Sequence, residues 1–169
     1  MPGDLAAQEV DAVVTILPQN MEYHGILNSR LAEVAGRELP HFIKENIFDP
    51  RPGDIFAVPG FGLKAKHILI AIVPVWRTEF DRQDRVLVNI CRRAMEEARI
   101  MGLRSIAFPP LASGNKGFPK KRAARLILQG IEERLETVFE DGYFDEVRIV
   151  ARSEETCRIF RDRITQMGG

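Results

Sequence analysis

Long apolar runs, cysteine and net charge are what this 169-residue chain lacks. No stretch approaches the roughly 18 consecutive apolar residues of a membrane-spanning helix, so no span is expected. Acids and bases balance at 24 each. No overall field therefore drives the molecule onto nucleic acid or a membrane surface, and only a local basic patch stays open as a route to an anion. The two cysteines are too few for a disulfide scaffold. Cys91 and Cys157 fall on the apolar stripes of predicted helices, as reduced core residues do. The N-terminus has no basic segment leading into an apolar one, so no secretory signal is read there and a cytoplasmic protein is expected. His24, His41 and His67 share no ligand spacing with each other or with the cysteines, so neither a metal nor a cofactor is expected.

What is present is a regular alternation of strands and helices, with 45% apolar residues to build a core. The length suits one domain spanning 1–169. Continuous apolar runs at 11–17 and 67–73 read as strands covered on both faces. Shorter strands are expected at 54–58, 105–109 and 146–151. Helical periodicity marks 27–48, with a break expected near Pro40, then 84–101 and 119–139. Ser153, followed by Glu154 and Glu155, reads as the N-cap of a last helix burying Cys157, Phe160 and Ile164. This order predicts an α/β fold, a three-layer α/β/α sandwich around a central mixed sheet. In such sheets ligands lie beyond the carboxyl ends of the strands.

One of those ends carries the most informative segment of the chain. The strand Ile106-Ala107-Phe108 runs into Ser113-Gly114-Asn115-Lys116-Gly117, and Pro119 opens a helix directly after it. Gly114 and Gly117 allow backbone angles and close approaches that other residues forbid. The loop amides and the free N–H groups of the helix start suit a phosphate. Pro119 belongs in a first helical turn, where its missing N–H costs nothing. A plain connection between strand and helix is the alternative reading.

Several segments, in order along the chain, resemble the macro domain family, whose members bind ADP-ribose and related nucleotides. Gly3-Asp4-Leu5 followed by Val10-Asp11-Ala12-Val13-Val14 is similar to the family's opening motif and first core strand. Gly53-Asp54 and Val58-Pro59-Gly60-Phe61-Gly62-Leu63 resemble its middle strand and hairpin. Val73-Pro74-Val75-Trp76 resembles its next strand ending, and Ser113-Gly114 with Gly117-Phe118-Pro119 its phosphate loop. The resemblance implies an adenine contact at Asp4, with Leu5 beside it. It implies diphosphate contacts at Gly25 and at Ser113, Gly114, Asn115 and Gly117, and a stacking contact over the base at Arg152; Lys116 stands where the family usually packs an aromatic on the distal ribose, and offers a phosphate a cation instead. Each has a plainer alternative. Asp4 can cap a turn or lie exposed near the terminus, Ser113 can bond its own turn, and Arg152 can be a solvated arginine.

The first ligand loop departs from the family pattern. Thr15-Ile16-Leu17-Pro18 stands where active members carry Asn-Ala-Ala-Asn. Tyr23-His24-Gly25-Ile26 replaces a glycine run, and Leu27-Asn28-Ser29 replaces Val-Asp-Gly. The resemblance implies that the second Asn and the Asp hold the distal ribose and the attacking water in hydrolysing members. Proline offers no side-chain donor or acceptor there, and an Asn amide is no base. Tyr23 and Ile26 add bulk where the family is open. His24 has a suitable intrinsic pKa for a base, but no visible partner to orient it. Lys120, Lys121, Arg122 and Arg125 form a basic run beside the phosphate loop, which serves either as a solvated helix face or as an attraction for an anion; nucleic acid is not expected as a partner.

Three functions follow. The first is a module that binds ADP-ribose or a related nucleotide, possessed free or on an ADP-ribosylated protein, without efficient catalysis. The second is a hydrolase of ADP-ribose derivatives. The third is a macro-type fold kept for protein contacts. No catalytic residue is assigned.

Overall fold

A computed structural model describes residues 3–18, 26–73, 80–111, 120–137 and 144–168. After a short 3-10 turn (Leu5–Ala7), the elements run β1 (Ala12–Pro18), α1 (Ile26–Ala35), α2 (Glu38–Asn46), β2 (Ile55–Pro59), β3 (His67–Val73), α3 (Phe80–Ile100), β4 (Ser105–Phe108), α4 (Lys120–Thr137), β5 (Glu146–Ile149) and α5 (Glu154–Gly168). The five strands form one sheet in the order β2-β3-β1-β4-β5. β2 is antiparallel to β3, and every other pair is parallel. The sheet is therefore mixed, and each expected strand is found within one or two residues of its predicted bounds.

Side chains alternate across a strand, so a strand buried on both faces must be apolar throughout. Ala12 and Val14 of β1, Leu69 and Ala71 of β3, and Ile106 and Phe108 of β4 face α3, α4 and Phe160 of α5. Val13 and Leu17 of β1, Ile68, Ile70 and Ile72 of β3, and Ala107 of β4 face α1, α2 and the 3-10 turn. The result is the α/β/α sandwich. Cys91 and Cys157 are free and buried in it.

Two expectations are corrected. The break in the 27–48 helical pattern falls at Gly36, not at Pro40. Gly36 takes φ 96°, and its N–H closes α1 on the Ala32 carbonyl. Pro40 then sits in the first turn of α2, where its missing N–H is no loss. Ile164 is 48% exposed rather than buried, because α5 packs through Cys157 and Phe160 while its last turns lie beyond that contact. The N-cap at Ser153 is found as expected, its Oγ accepting the Thr156 N–H at 3.1 Å.

Asp11 joins the amino ends of three strands. Its Oδ2 accepts the N–H groups of Arg104 at 2.7 Å and Ser105 at 3.2 Å. Its own N–H donates to Ser105 Oγ at 2.8 Å. Its carbonyl accepts the His67 N–H at 3.0 Å, and Lys66 Nζ lies 3.6 Å from its Oδ1. Burial works against this carboxylate, but the two N–H donors and then the Lys66 charge outweigh it and hold its pKa below the ordinary 3.8.

α3 and α4 approach closely. A Cβ built on Gly130 of α4 would lie 2.6 Å from the Val88 carbonyl oxygen and 2.9 Å from Cys91 Cβ, both on α3.

Two stability predictions follow from these contacts. Asp11→Asn keeps the shape but loses the charge-assisted part of its bonds, at a cost of about 1–2 kcal/mol at neutral pH. Because the folded-state pKa is lowered, the wild-type advantage is present above the ordinary value of 3.8 and fades as pH falls through the folded value. Urea titrations of both proteins at neutral pH and below pH 3.8 should show the gap narrow in acid. Gly130→Ala gains helix propensity yet must push two helices apart, a net loss of about 1–3 kcal/mol by overpacking. An unchanged or raised midpoint in the same titration would contradict that contact.

Candidate functional site

The connections decide where a ligand can sit. β1 feeds α1 on one face of the sheet, whereas β3, β4 and β5 feed α3, α4 and α5 on the other. β1 is thus the strand at which the direction of the connections switches on both sides, and a crevice is expected at its carboxyl end. The registers agree with this. β1 pairs with β3 over seven positions, from Ala12↔His67 to Pro18↔Val73, but its ladder with β4 is registered only at Ala12↔Ile106 and Val13↔Ala107.

The segment that departs from the family's first loop is strand here. Thr15 to Pro18 are the last four residues of β1, in register with Ile70 to Val73. Thr15 is buried. Pro18 is the last residue of the strand, so its missing N–H interrupts no ladder beyond it.

Asp4 is fixed at the same edge of the sheet. The N–H of Gly3 donates to the Ala151 carbonyl at 2.9 Å, just past β5. Asp4 caps the 3-10 turn, its Oδ1 accepting the Ala6 N–H at 3.0 Å. Its Oδ2 accepts Arg30 Nε at 3.0 Å. Its carbonyl accepts Ala7 N–H at 3.0 Å and Gln8 Nε2 at 3.1 Å. Gln8 Oε1 accepts Arg148 Nη1 at 2.9 Å, and Arg148 also pairs with Glu146 on β5. A polar chain therefore runs from the edge strand through Gln8 to Asp4 and on to α1. The turn-capping alternative for Asp4 is correct, and it still leaves acceptor capacity on a carboxylate 32% exposed. Leu5 is buried in the core, so what it can offer a ligand is its backbone. Among the described residues its N–H, the first of the turn, has no acceptor.

Arg152 follows Ala151 and is exposed. Arg30 is the residue that sequence reasoning missed. It lies one turn beyond the divergent first loop, and only the fold brings it to Asp4, 26 positions away. Gly25, Ser113, Gly114, Asn115, Lys116 and Gly117 lie outside the described residues, as do Tyr23 and His24. The basic run at the start of α4 is partly neutralised. Lys120 lies 3.6 Å from Glu155, and Arg122 pairs with Asp84 through Nε and Nη2. Lys121 and Arg125 are exposed.

A cavity of about 420 Å³ lies at the opposite edge, lined by Glu9, Val10, Asp11, Lys64, Lys66 and Ser105. Its charges are matched with one another, Lys64 with Glu9 and Lys66 with Asp11, and Asp11 is committed to the strand starts. It has the character of a structural junction. Among the described residues no three His, Cys, Asp or Glu side chains gather to hold a metal, and no helix is long and apolar enough to cross a membrane.

A mixed sheet between two helical layers, with connections that switch sides at β1 and a fixed carboxylate at the same end, defines an α/β/α sandwich in which a ligand site is expected at that switch point. The Macro domain profile matches residues 19–127, and the chain belongs to that family. It is 26% identical over 98% of its length to a macro domain-containing protein of Methanosarcina mazei, covering 86% of that protein. It is 28% identical over 96% of its length to an uncharacterized protein of Thermotoga maritima, of which it spans only 28%. Among solved structures, the Oceanobacillus iheyensis macrodomain with ADP superposes with a TM-score of 0.85 at 25% identity, covering 98% of this chain and 88% of that one.

Proposed function

We propose that this protein binds ADP-ribose or a closely related nucleotide diphosphate and turns it over poorly or not at all. The observation that carries the reading is the pair at Asp4 and Leu5. A fixed carboxylate acceptor and a backbone N–H donor stand side by side at the carboxyl edge of the sheet. An adenine edge offers the matching donor, its exocyclic amine, next to a ring-nitrogen acceptor. Arg152 supplies a planar cation suited to stacking on the base. The diphosphate is assigned to Gly25 and to Ser113, Gly114, Asn115, Lys116 and Gly117, where loop amides and the start of α4 favour an anion. The solved relative with ADP supports this class of ligand. A cytoplasmic location belongs to the same reading, consistent with two free, buried cysteines.

Poor catalysis follows from Pro18 and Asn28 at the positions assigned to ribose and water. Absence of a positioned acid or base lowers rates on the order of 10²–10⁴-fold. Release of ADP-ribose from a modified protein should accordingly run far below that of a macro domain carrying both residues. Turnover at a comparable rate would establish the hydrolase reading instead.

Binding is checked by calorimetric titration with ADP-ribose and ADP. Wild type should bind both. Gly114→Val should lose most of the affinity, because a branched side chain blocks the ligand and resists the backbone angles available to glycine. Lys116→Ala should weaken binding only modestly and reduce its salt sensitivity. Equal affinity in wild type and Gly114→Val would remove this loop from the site. No heat from either nucleotide would favour a fold kept for protein contacts.

A further inference from the structure

Arg30 has a geometry that the adenine contact alone does not require. Its Nε donates to Asp4 Oδ2 at 3.0 Å, while Nη1 lies 3.5 Å from Glu33 Oε1, one helical turn along α1. The guanidinium is thus held between two carboxylates, one on its own helix and one on the 3-10 turn. Asp4 is gripped in turn from two sides, by the Ala6 N–H on Oδ1 and by Arg30 on Oδ2. A carboxylate terminal torsion is soft when unrestrained. Two donors on its two oxygens fix the plane of the group, and each oxygen keeps acceptor capacity. Both side chains remain partly exposed, at 40% and 32%, so the pair is accessible from solvent.

We propose that Arg30 is a positioning residue that sets base selectivity, holding Asp4 as an oriented acceptor that takes 6-aminopurine nucleotides and rejects 6-oxopurine ones. The proposal rests on the nucleotide reading of this site. An exocyclic amine donates to the fixed carboxylate. A 6-oxo group at the same place sets one acceptor against another, and no rotation of Asp4 relieves it while Arg30 and Ala6 hold the plane. Without Arg30 the carboxylate can turn, so the amine loses an oriented partner and the oxo group loses an enforced clash. The Glu33 contact keeps the guanidinium from swinging to meet the oxo group itself.

The test is calorimetric titration of the full chain with ADP and with inosine diphosphate, which share ribose and diphosphate and differ at the 6-position. Wild type should prefer ADP by about tenfold, the range expected of a hydrogen bond to a charged group. Arg30→Ala should narrow the ratio, leaving the part that the Leu5 N–H sets against the protonated ring nitrogen of the 6-oxopurine. Arg30→Lys, which keeps the charge without the planar fork, should give an intermediate ratio and guards against a folding defect in the alanine variant. A general loss of structure would weaken both nucleotides together and leave the ratio alone. An unchanged or increased ratio in Arg30→Ala overturns the proposal, as does a wild type that binds both nucleotides equally while still binding ADP-ribose. A wild type that binds none of the three removes the nucleotide reading, and the proposal with it.

Discussion

The half-buried acid at the amino end of β1 is the constraint on which the rest of the architecture depends. Through its side chain, N–H and carbonyl, Asp11 meets Arg104, Ser105 and His67. These residues stand at the starts of β4 and β3, the two neighbours of β1. One residue thereby sets the relative height of three parallel strands. Parallel strands lack the hairpin turns that fix register between antiparallel ones, so another device must supply it. Here that device is a carboxylate whose own charge is stabilised by the backbone groups it orders.

With the amino ends level, the differences among the strands emerge at their carboxyl ends. β1 follows β3 through Pro18, while its ladder with β4 closes after Val13. The chain leaves β1 toward one helical layer and leaves both neighbours toward the other. The switch point is therefore a consequence of connection and register, not of any one side chain. The polar chain from Arg148 through Gln8 and Asp4 to Arg30 fits the same frame. It ties the edge strand to α1 by way of the 3-10 turn, and so places a charged acceptor beside a switch point built by the sheet.

Strand positions were legible because double-faced burial demands uninterrupted apolar residues, as at 68–73, and helix positions because their apolar stripes repeat every three to four residues, as at 84–101. The misplaced break at Pro40 shows the limit of local signals. Proline is a breaker only inside a helix, and which turn it occupies depended on the left-handed Gly36 four residues earlier. The expected burial of Ile164 failed for a different reason. Its spacing fits the stripe, but periodicity gives the face of a helix and not how far its packing partner extends.

For the candidate site, the sequence by itself determined the residue types. It showed Asp4 as a carboxylate, glycines at 114 and 117 with the backbone freedom an anion loop needs, and at 18 and 28 a proline and an amide that cannot act as a base, because those properties belong to side-chain chemistry and backbone freedom; the ligand roles came from the family resemblance. Only the tertiary structure decided that both oxygens of Asp4 already have partners, that the Leu5 side chain is buried, and that Arg30 meets Asp4. Those facts depend on contacts between residues far apart in the chain, and no local pattern of charge or periodicity encodes which distant carboxylate a helical arginine will meet.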